Sequence, residues 1–237
     1  MRSLDRRPFS ESLFSARSSR KVPLIAEIKC RSPKEGDLIG SRDPVALAQA
    51  MERAGAACIS VVTEPEHYGG SLDLLNKVAA VVNIPVLRKD FIRSEQDIHL
   101  TKEAGASCVL LIASFLDLNH LARLSAYARN EGLETLVEVG CEAELKTVLS
   151  LELDLLGINN RDIKQLETDD GTIAKALELI KLVPPNTPVI SESAVSSPED
   201  VEALIKAGVV GVLVGTAVLK SEDVESAVRS LVWAAPN

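Results

Sequence analysis

One phrase that occurs three times constrains the fold of this chain more than any other feature. Each copy has an Ala-Gly pair after a helix-forming residue and then a short apolar run, at Arg53–Val62, Glu103–Ile112 and Lys206–Gly215. The glycine suits the left-handed residue that ends a helix, and the apolar run suits a buried strand. The copies begin 50 and then 103 residues apart, which fits two and four repeats of a unit of about 25 residues, one strand plus one helix.

The sequence between these copies supplies the other strands and helices of eight such units. Strands are predicted at Leu24–Lys29, Cys58–Val62, Pro85–Lys89, Cys108–Ala113, Glu134–Val139, Leu155–Asn159, Val189–Ser193 and Gly211–Val214. Helices are predicted at Pro44–Ala54, Ser71–Val82, Ser94–Ala104, Leu116–Glu131, Glu142–Leu151, Gly171–Leu182, Pro198–Ala207 and Glu222–Val232. Capping residues stand at the starts of three of these helices, with Asp43 before Pro44, Ser94 before Glu95 and Ser197 before Pro198. Eight alternating units without a break in composition predict a closed (β/α)8 barrel, the TIM-barrel class of α/β fold.

The barrel is expected to form one catalytic domain over residues 23–237, after an N-terminal extension at residues 1–22 that contains a short helix. An open, doubly wound sheet is the alternative architecture. No Gly-x-Gly-x-x-Gly turn follows the first strand, so dinucleotide binding is not indicated. Because 46% of the residues are hydrophobic but only 3% are aromatic, the core must consist mainly of aliphatic side chains, which suits buried parallel strands.

Charge and cysteine content argue against several classes of protein. The net charge of −8 disfavours nucleic acid or an anionic membrane as a partner, and no apolar run reaches the roughly 20 residues that span a bilayer. The four cysteines are scattered without a Cys-x-x-Cys pair, and the three histidines lack metal-ligand spacing. We therefore expect a cytoplasmic monomer with reduced thiols and no metal.

Charged and polar residues end five of the eight predicted strands. Glu27 and Lys29 lie two residues apart, so both share one face of the first strand with Ile25, and that face is expected to point into the barrel. The other strand ends carry Arg88, Lys89, Asp90, Glu138, Asn159, Asn160, Arg161, Asp162 and Glu192. Any one of these strand ends is accounted for by a strand that meets water. Five of them on one rim predict an active site, because TIM barrels react at the carboxyl ends of their strands.

The last two units suggest a phosphate site. Short loops at Glu192–Val195 and Gly215–Ala217 are placed to present backbone N–H groups to an anion, the usual arrangement after strands seven and eight of such barrels. Ser32 and Lys29 are expected to close the site from the first loop. The alternative interpretation is that Gly215 only forms a tight turn.

Eight segments in order, about one per strand, resemble the indole-3-glycerol phosphate synthase family. They are Ile25–Pro33, Thr63–Pro65 with Tyr68–Ser71, Val86–Ile92, Val109–Ile112, Leu136–Val139, Gly157–Asp162, Ile190–Ser193 and Gly211–Gly215. The resemblance extends from Pro23 to about Leu219. It implies conversion of 1-(2-carboxyphenylamino)-1-deoxyribulose 5-phosphate into indole-3-glycerol phosphate, with release of carbon dioxide and water.

The resemblance also implies catalytic roles. Lys89 would protonate the substrate ketone as the aromatic carbon attacks it, with Glu138 holding and recharging this lysine. Lys29 would contact the substrate carboxylate and protonate the leaving hydroxide, Glu27 would be the base of that dehydration, and Asn159 would orient substrate hydroxyls. Each acid–base group would contribute roughly 10²–10⁴-fold to the rate.

Binding residues follow from the same resemblance, which implies no metal or organic cofactor because the aromatic ring supplies its own electron sink. The expected substrate-binding residues are Glu192 and Ser193 at the ribulose end, Arg161, and Tyr68, Phe91 and Leu110 around the anthranilate ring. The expected phosphate-binding residues are Ser32, Lys29, Ala194, Gly215 and Thr216.

The chain departs from the family pattern at four places. Ala194 stands where the family usually has glycine, Thr216 replaces an acidic or small residue, and Gly140 stands where histidine often follows the fifth strand. Family members often carry about two helices before the first strand that cap the active site. Only 22 residues precede Pro23 here, with room for one helix around Pro8–Arg17, so an abbreviated lid is expected.

Two other functions remain open from the sequence. One is a sister phosphate-binding barrel, such as a phosphoribosylanthranilate or another sugar-phosphate isomerase, which would release no carbon dioxide. The set of Lys29, Lys89 and Glu138 on strands one, three and five fits such an isomerase poorly. The other is a non-catalytic barrel that binds a phosphorylated ligand or a partner subunit, for which two such lysines would be unnecessary.

Overall fold

Eight parallel strands pair in chain order, and the eighth returns to pair with the first. The computed structural model describes residues 8–233. The barrel strands are β1 (Leu24–Ile28), β2 (Cys58–Val62), β3 (Val86–Lys89), β4 (Cys108–Ile112), β5 (Glu134–Val139), β6 (Leu155–Asn159), β7 (Val189–Glu192) and β8 (Gly211–Val214). The closed barrel that the sequence predicts is confirmed, and each strand lies within one residue of its predicted bounds.

Most of the described helices cover the outside of this barrel, and the first closes one end of it. They are α1 (Phe9–Ser18), α2 (Pro44–Arg53), α3 (Leu72–Val81), α4 (Glu95–Glu103), α5 (Leu118–Asn130), α6 (Glu142–Val148), α7 (Ala174–Leu179), α8 (Pro198–Lys206), α9 (Thr216–Leu219) and α10 (Val224–Val232). The sequence did not predict α9 or a two-stranded pair, Arg31–Ser32 with Gly36–Asp37, in the loop after β1. The longest described helix, α5, has 13 residues, and no helix between residues 8 and 233 is long and apolar enough to cross a membrane.

The capping side chains and the terminal glycines at the helix ends have the predicted geometry. The side chains of Asp43, Ser94 and Ser197 accept hydrogen bonds from backbone N–H groups in the first turns of α2, α4 and α8. The glycines of the three repeated phrases, Gly55, Gly105 and Gly208, have φ of 104°, 87° and 104°. A left-handed glycine therefore ends the helix in each copy before the chain enters the next strand.

Alternation along the strands divides the apolar side chains into two clusters. The inner cluster fills the barrel with residues such as Ile25, Leu87, Leu110, Leu136 and Leu213. Their neighbours in sequence belong to the outer cluster between the strands and the helices. Since side chains alternate with a period of two, the residue two positions after each inner residue also points into the barrel, toward the carboxyl ends of the strands.

Helix α1 covers the opposite end of the barrel from these carboxyl ends. Phe9 and Leu13 are fully buried in the inner cluster, and Ser10 N–H donates to the Glu134 carboxylate at 3.0 Å. The thiol of Cys58 donates to the Phe9 carbonyl at 3.7 Å. Cys58 and Glu134 are the first residues of β2 and β5, so α1 closes the amino ends of the strands.

This position corrects one expectation. The predicted short helix is present, but it is not a lid over the active site, because its apolar face is used to seal the bottom of the barrel. The outermost parts of the predicted extension and domain, residues 1–7 and 234–237, lie outside the described residues.

Candidate active site

The carboxyl ends of five strands bring charged and polar side chains into one buried group. Glu27 lies on β1, Lys89 on β3, Glu138 on β5, Asn159 on β6 and Glu192 on β7, and each is at most 8% exposed. These side chains point into the barrel because each residue stands two positions after an inward-facing residue of its strand. The structure thus brings together the acids and bases predicted from the sequence.

Lys89 is surrounded by carboxylates. Its Nζ lies 3.6 Å from Glu138 Oε2, 3.8 Å from Glu192 Oε2 and 4.0 Å from Glu167 Oε1. Among the described residues, neither oxygen of Glu138 or Glu192 has a hydrogen-bond partner. The lysine and its carboxylates are therefore close enough to share charge, while both unbonded carboxylates can still accept or donate a proton.

Burial and charge shift the pKa values of this group in different directions. Burial disfavours the charge of Lys89, but Glu138, Glu167 and Glu192 outweigh it and raise the pKa of the lysine well above its ordinary value. Burial also raises the pKa of Glu138. It raises the pKa of Glu192 further, with help from the negative charge of Glu138. A charged lysine beside carboxylates that hold protons readily suits general acid–base chemistry.

A second ion pair lies on β1 and the residue that follows it. Lys29 Nζ is 3.1 Å from Glu27 Oε1, and both side chains are buried. Gly215, just after β8, makes room for this pair, because a β-carbon there would lie 2.5 Å from Glu27 Oε1. Gly215 is thus more than a tight turn, and its lack of a side chain allows Glu27 to reach the site.

The smaller of two adjoining cavities has mostly apolar walls. Its walls include the three predicted ring-binding residues, Tyr68, Phe91 and Leu110. Phe91 meets Phe115 edge to face, with ring centroids 5.4 Å apart. This aromatic contact supports one apolar wall of the cavity.

The larger cavity is polar and opens between the loops that follow β7 and β8. It measures about 300 Å³, and its walls include Ser193, Ala194, Gly215, Thr216 and Arg161. Glu27, Lys29 and Glu167 line both cavities. The two cavities therefore meet beside the buried acids and bases.

Comparison with known families decides the assignment. Residues 2–231 match the family model described as indole-3-glycerol phosphate synthase.

The chain belongs to the indole-3-glycerol phosphate synthase family.

Relatives agree with this assignment. The indole-3-glycerol phosphate synthase of Thermococcus kodakarensis is 42% identical over 216 residues, which cover 91% of this chain and 94% of the relative. The enzyme of the same name from Geobacillus thermodenitrificans is 40% identical over 227 residues, or 95% of this chain and 86% of the relative. Family membership and these relatives support indole-3-glycerol phosphate synthase function in tryptophan biosynthesis, so this prediction is confirmed and the isomerase alternative is not favoured.

A solved structure shows how widely the fold is shared. The N-acetylmannosamine-6-phosphate 2-epimerase from Clostridium perfringens superposes with a TM-score of 0.61 at 17% identity, over 82% of this chain and 86% of that chain. At this identity the likeness concerns the barrel alone.

Ser32 does not join the other residues predicted to bind phosphate. Its side chain is buried, and its Oγ accepts hydrogen bonds from the N–H groups of Lys34 and Glu35 in its own loop, both at 3.3 Å. It is also absent from the walls of both cavities. In this structure Ser32 shapes the loop after β1, while Lys29 reaches the cavities themselves.

Two departures from the family pattern have clear geometry here. Ala194 has φ of 59°, in the left-handed region that glycine adopts most easily. This explains why the family pattern has glycine at that position. Thr216 begins α9 and lines the larger cavity, so its hydroxyl is available at the site.

Sequence reasoning missed Glu167, which is 7% exposed and lines both cavities. Its Oε1 accepts hydrogen bonds from Asn159 Nδ2 at 3.0 Å and Ser193 Oγ at 2.8 Å. Glu167 lies in the loop between β6 and α7, where strand periodicity gives no information about direction. The available signal was an acidic residue close in sequence to the polar end of β6, which is weak evidence by itself.

One further cluster has the composition of a metal site. Ligand atoms of Glu64, Glu66 and His67 lie within 4.8 Å of one another. The Glu64 carboxylate, however, accepts backbone N–H donors from Glu66, His67 and Tyr68 at 2.8–3.0 Å. Glu64 therefore serves as the cap of the turn that places Tyr68 at the smaller cavity.

Proposed function

We propose that this chain is a carbon–carbon carboxy-lyase that closes the indole ring of 1-(2-carboxyphenylamino)-1-deoxyribulose 5-phosphate by general acid–base catalysis. The observation that carries the proposal is the position of Lys89, which lines the smaller cavity and lies within 4.0 Å of three carboxylates. Such a lysine can give a proton to a bound carbonyl and regain one from its neighbours.

The walls of the two cavities match the chemistry of the two ends of this substrate, apolar for the ring and polar for the phosphate. The anthranilate ring enters the smaller cavity against Tyr68, Phe91 and Leu110, and the phosphate enters the larger one. The ribulose chain then spans the junction, where Glu27 and Lys29 line both cavities. This arrangement holds the ketone and the attacking ring carbon together, which lowers the entropic barrier to ring closure.

Ring closure is the step assigned to Lys89. The ring carbon that bears the carboxylate attacks the ketone carbon, a carbon–carbon bond forms, and Lys89 protonates the developing alkoxide. Glu138, 3.6 Å away, then returns a proton to the lysine. Because burial raises the pKa of Glu138, its carboxyl group holds a proton more readily than an exposed glutamate and can pass it to Lys89.

Loss of carbon dioxide follows in the apolar cavity. The bond from the ring to the carboxylate breaks, and its electron pair restores the aromatic ring. Apolar walls exclude water and disfavour the charged carboxylate relative to the product. The ring is its own electron sink, so the proposed route includes no organic cofactor or metal ion.

Dehydration is assigned to the ion pair of Glu27 and Lys29. Glu27 removes a proton from the carbon next to nitrogen, and Lys29 protonates the departing hydroxide, which leaves as water. The 3.1 Å separation of the two side chains lets one site supply both proton transfers. Asn159 and Glu192 hold the chain hydroxyls from β6 and β7.

The phosphate is bound in the larger cavity. Arg161 and Lys29 supply positive charge, and the loops at Ser193–Ala194 and Gly215–Thr216 supply backbone N–H groups. The buried Nε of Arg161 has no hydrogen-bond partner among the described residues. We expect the phosphate to satisfy it in the complex.

Every group in this scheme comes from one chain, so the proposal is for a monomeric enzyme with a small phosphorylated substrate and neither nucleic acid nor membrane as a partner. Its four cysteines are free, which suits the reducing cytoplasm.

A two-signal assay tests the proposed function. Protein treated with a chelator is mixed with the synthetic carboxyphenylamino substrate, while carbon dioxide and indole fluorescence are recorded together. We expect one carbon dioxide per indole product. Binding of a phosphate analogue without release of carbon dioxide would favour the non-catalytic barrel, and turnover of a phosphoribosyl amine without gas would favour an isomerase.

A further inference from the structure

Glu167 adopts a backbone conformation that needs an explanation. Leu166 and Glu167 have φ of 52° and 56°, a left-handed conformation that is strained for any residue other than glycine. The burial of these two side chains is also unusual, because the acidic Glu167 is buried while the apolar Leu166 is partly exposed. Folding alone would favour the reverse. Strain of this kind concentrates at functional sites.

The strained turn directs one carboxylate oxygen at residues from three strands. Glu167 Oε1 accepts hydrogen bonds from Asn159 at the end of β6 and from Ser193 just after β7. The same oxygen lies 4.0 Å from Lys89 Nζ on β3. The Asn159 side chain is also fixed at its oxygen, because Oδ1 accepts a hydrogen bond from the backbone N–H of Arg161 at 3.0 Å.

Glu167 differs in charge state from the other acids around Lys89. Burial opposes ionisation, but Lys89, Lys29 and the two hydrogen bonds outweigh it and lower the pKa of Glu167 to about 2. Glu138 and Glu192 have raised pKa values instead. Glu167 therefore provides a permanent negative charge beside Lys89, which leaves Glu138 free to exchange protons.

We propose that Glu167 is a positioning residue of the indole-forming reaction, holding Asn159 and Ser193 at the ribulose chain and keeping Lys89 charged. This role rests on the proposed function. It assigns the loop between β6 and α7 a part in the reaction that the acids and bases on the strands do not supply. The charged and titratable groups that face Glu167 are Glu27 and Lys29 at the end of β1, Tyr68 after β2, Lys89 from β3, Glu138 from β5, Arg161 after β6 and Glu192 from β7.

The test compares Glu167→Gln, Glu167→Asp and a control on the same loop, Asp170→Asn. Asp170 is almost fully exposed and pairs with Lys34, so its replacement perturbs the loop without touching the group around Lys89. For each protein kcat, KM and the pH dependence of kcat are measured with the carboxyphenylamino substrate, together with the melting temperature.

Glu167→Gln is expected to lower kcat about 10- to 100-fold, as losses of orienting residues do, with a much smaller change in KM. Removal of one negative charge lowers the pKa of neighbouring acids and of Lys89, so the whole pH profile moves to lower pH. Glu167→Asp keeps the charge but cannot reach both donors. It should lower kcat without moving the profile, and Asp170→Asn should behave as wild type.

A wild-type kcat and pH profile in Glu167→Gln would overturn this role while leaving the proposed function intact. If Glu167→Gln does not fold, the test rests on Glu167→Asp, for which a wild-type kcat would overturn the role. If instead the wild-type protein bound substrate but formed no indole, the proposed function would fail, and this role with it.

Discussion

Gly157 on β6 and Glu192 on β7 are fitted to each other, since a β-carbon on Gly157 would overlap the Glu192 carboxylate. Leu136 Cδ1 on β5 would lie 3.4 Å from the same β-carbon, so the main conflict is with Glu192. Glycine at this position in a strand is costly for strand stability. Here it lets a buried acid reach Lys89.

Gly157→Ala should therefore displace Glu192 and lower kcat by at least about 10-fold, the minimum expected when one acid–base group is misplaced. Gly140→Ala is the matched control on the same rim, because a β-carbon there would meet only Glu144 Oε2, at 3.6 Å. Steady-state kinetics of both variants provide the check. Equal activity of the two variants would show that the position of Glu192 does not depend on the missing side chain of Gly157.

Glu192 should lower the stability of the protein at neutral pH. Its folded pKa is raised by burial above the unfolded value, so the folded state prefers the protonated acid. The stabilisation is complete at pH values below the unfolded pKa and is lost as pH rises through the folded pKa. Glu192→Gln should raise the free energy of unfolding at pH 8 by about 1 kcal/mol, less at pH 5, and should lower kcat.

Urea denaturation at the two pH values measures this difference. The exposed Glu222→Gln controls for the change in net charge and should leave the free energy of unfolding unchanged at both. A Glu192→Gln variant that is less stable than wild type at pH 8 would show that the carboxylate contributes favourably when charged.

Helix α1 should contribute to stability and not to substrate binding. Phe9 is fully buried at the amino ends of the strands, and Phe9→Ala should lower the free energy of unfolding by about 3–5 kcal/mol with kcat and KM unchanged at temperatures where it is folded. Phe14, on the same helix, is 43% exposed, and Phe14→Ala should have little effect. A raised KM without loss of stability in Phe9→Ala would instead place the helix over the active site.

Ala194 should weaken phosphate binding relative to glycine. Replacing Ala194 by glycine removes the strain of the left-handed conformation, which stabilises the folded state by about 1–2 kcal/mol. Glycine also has more conformational freedom in the unfolded chain, which offsets about 0.5–1 kcal/mol of this gain. We expect Ala194→Gly to lower KM at unchanged kcat and to stabilise the protein slightly. Ala207→Gly makes the same change at φ of −73°, away from both cavities, and should only destabilise. A higher KM in Ala194→Gly would show that the methyl group aids binding.

The directions of the strand side chains were predictable because side chains alternate along a strand with a period of two. Once Ile25 faces the barrel interior, Glu27 and Lys29 must follow it, and the same argument places Lys89 after Leu87 and Glu138 after Leu136. The parallel order of the strands then brings their carboxyl ends together without further information.

Residues in loops were not predictable in the same way, because no period fixes where their side chains point. Glu167 enters the site only through two consecutive left-handed residues, and Ser32 turns back to its own loop by accepting backbone N–H groups. The position of α1 was also hidden, since burial of Phe9 and Leu13 requires an apolar partner and either end of the barrel offers one.

The turnover of Lys89→Ala tests the central claim most directly, that Lys89 is the acid of ring closure. Indole formation is measured together with binding of inorganic phosphate and the melting temperature, so that loss of chemistry is separated from loss of the site. We predict a kcat lower by roughly 10²–10⁴-fold, with a folded protein and phosphate binding close to wild type. Near-normal kcat in this variant would contradict the account.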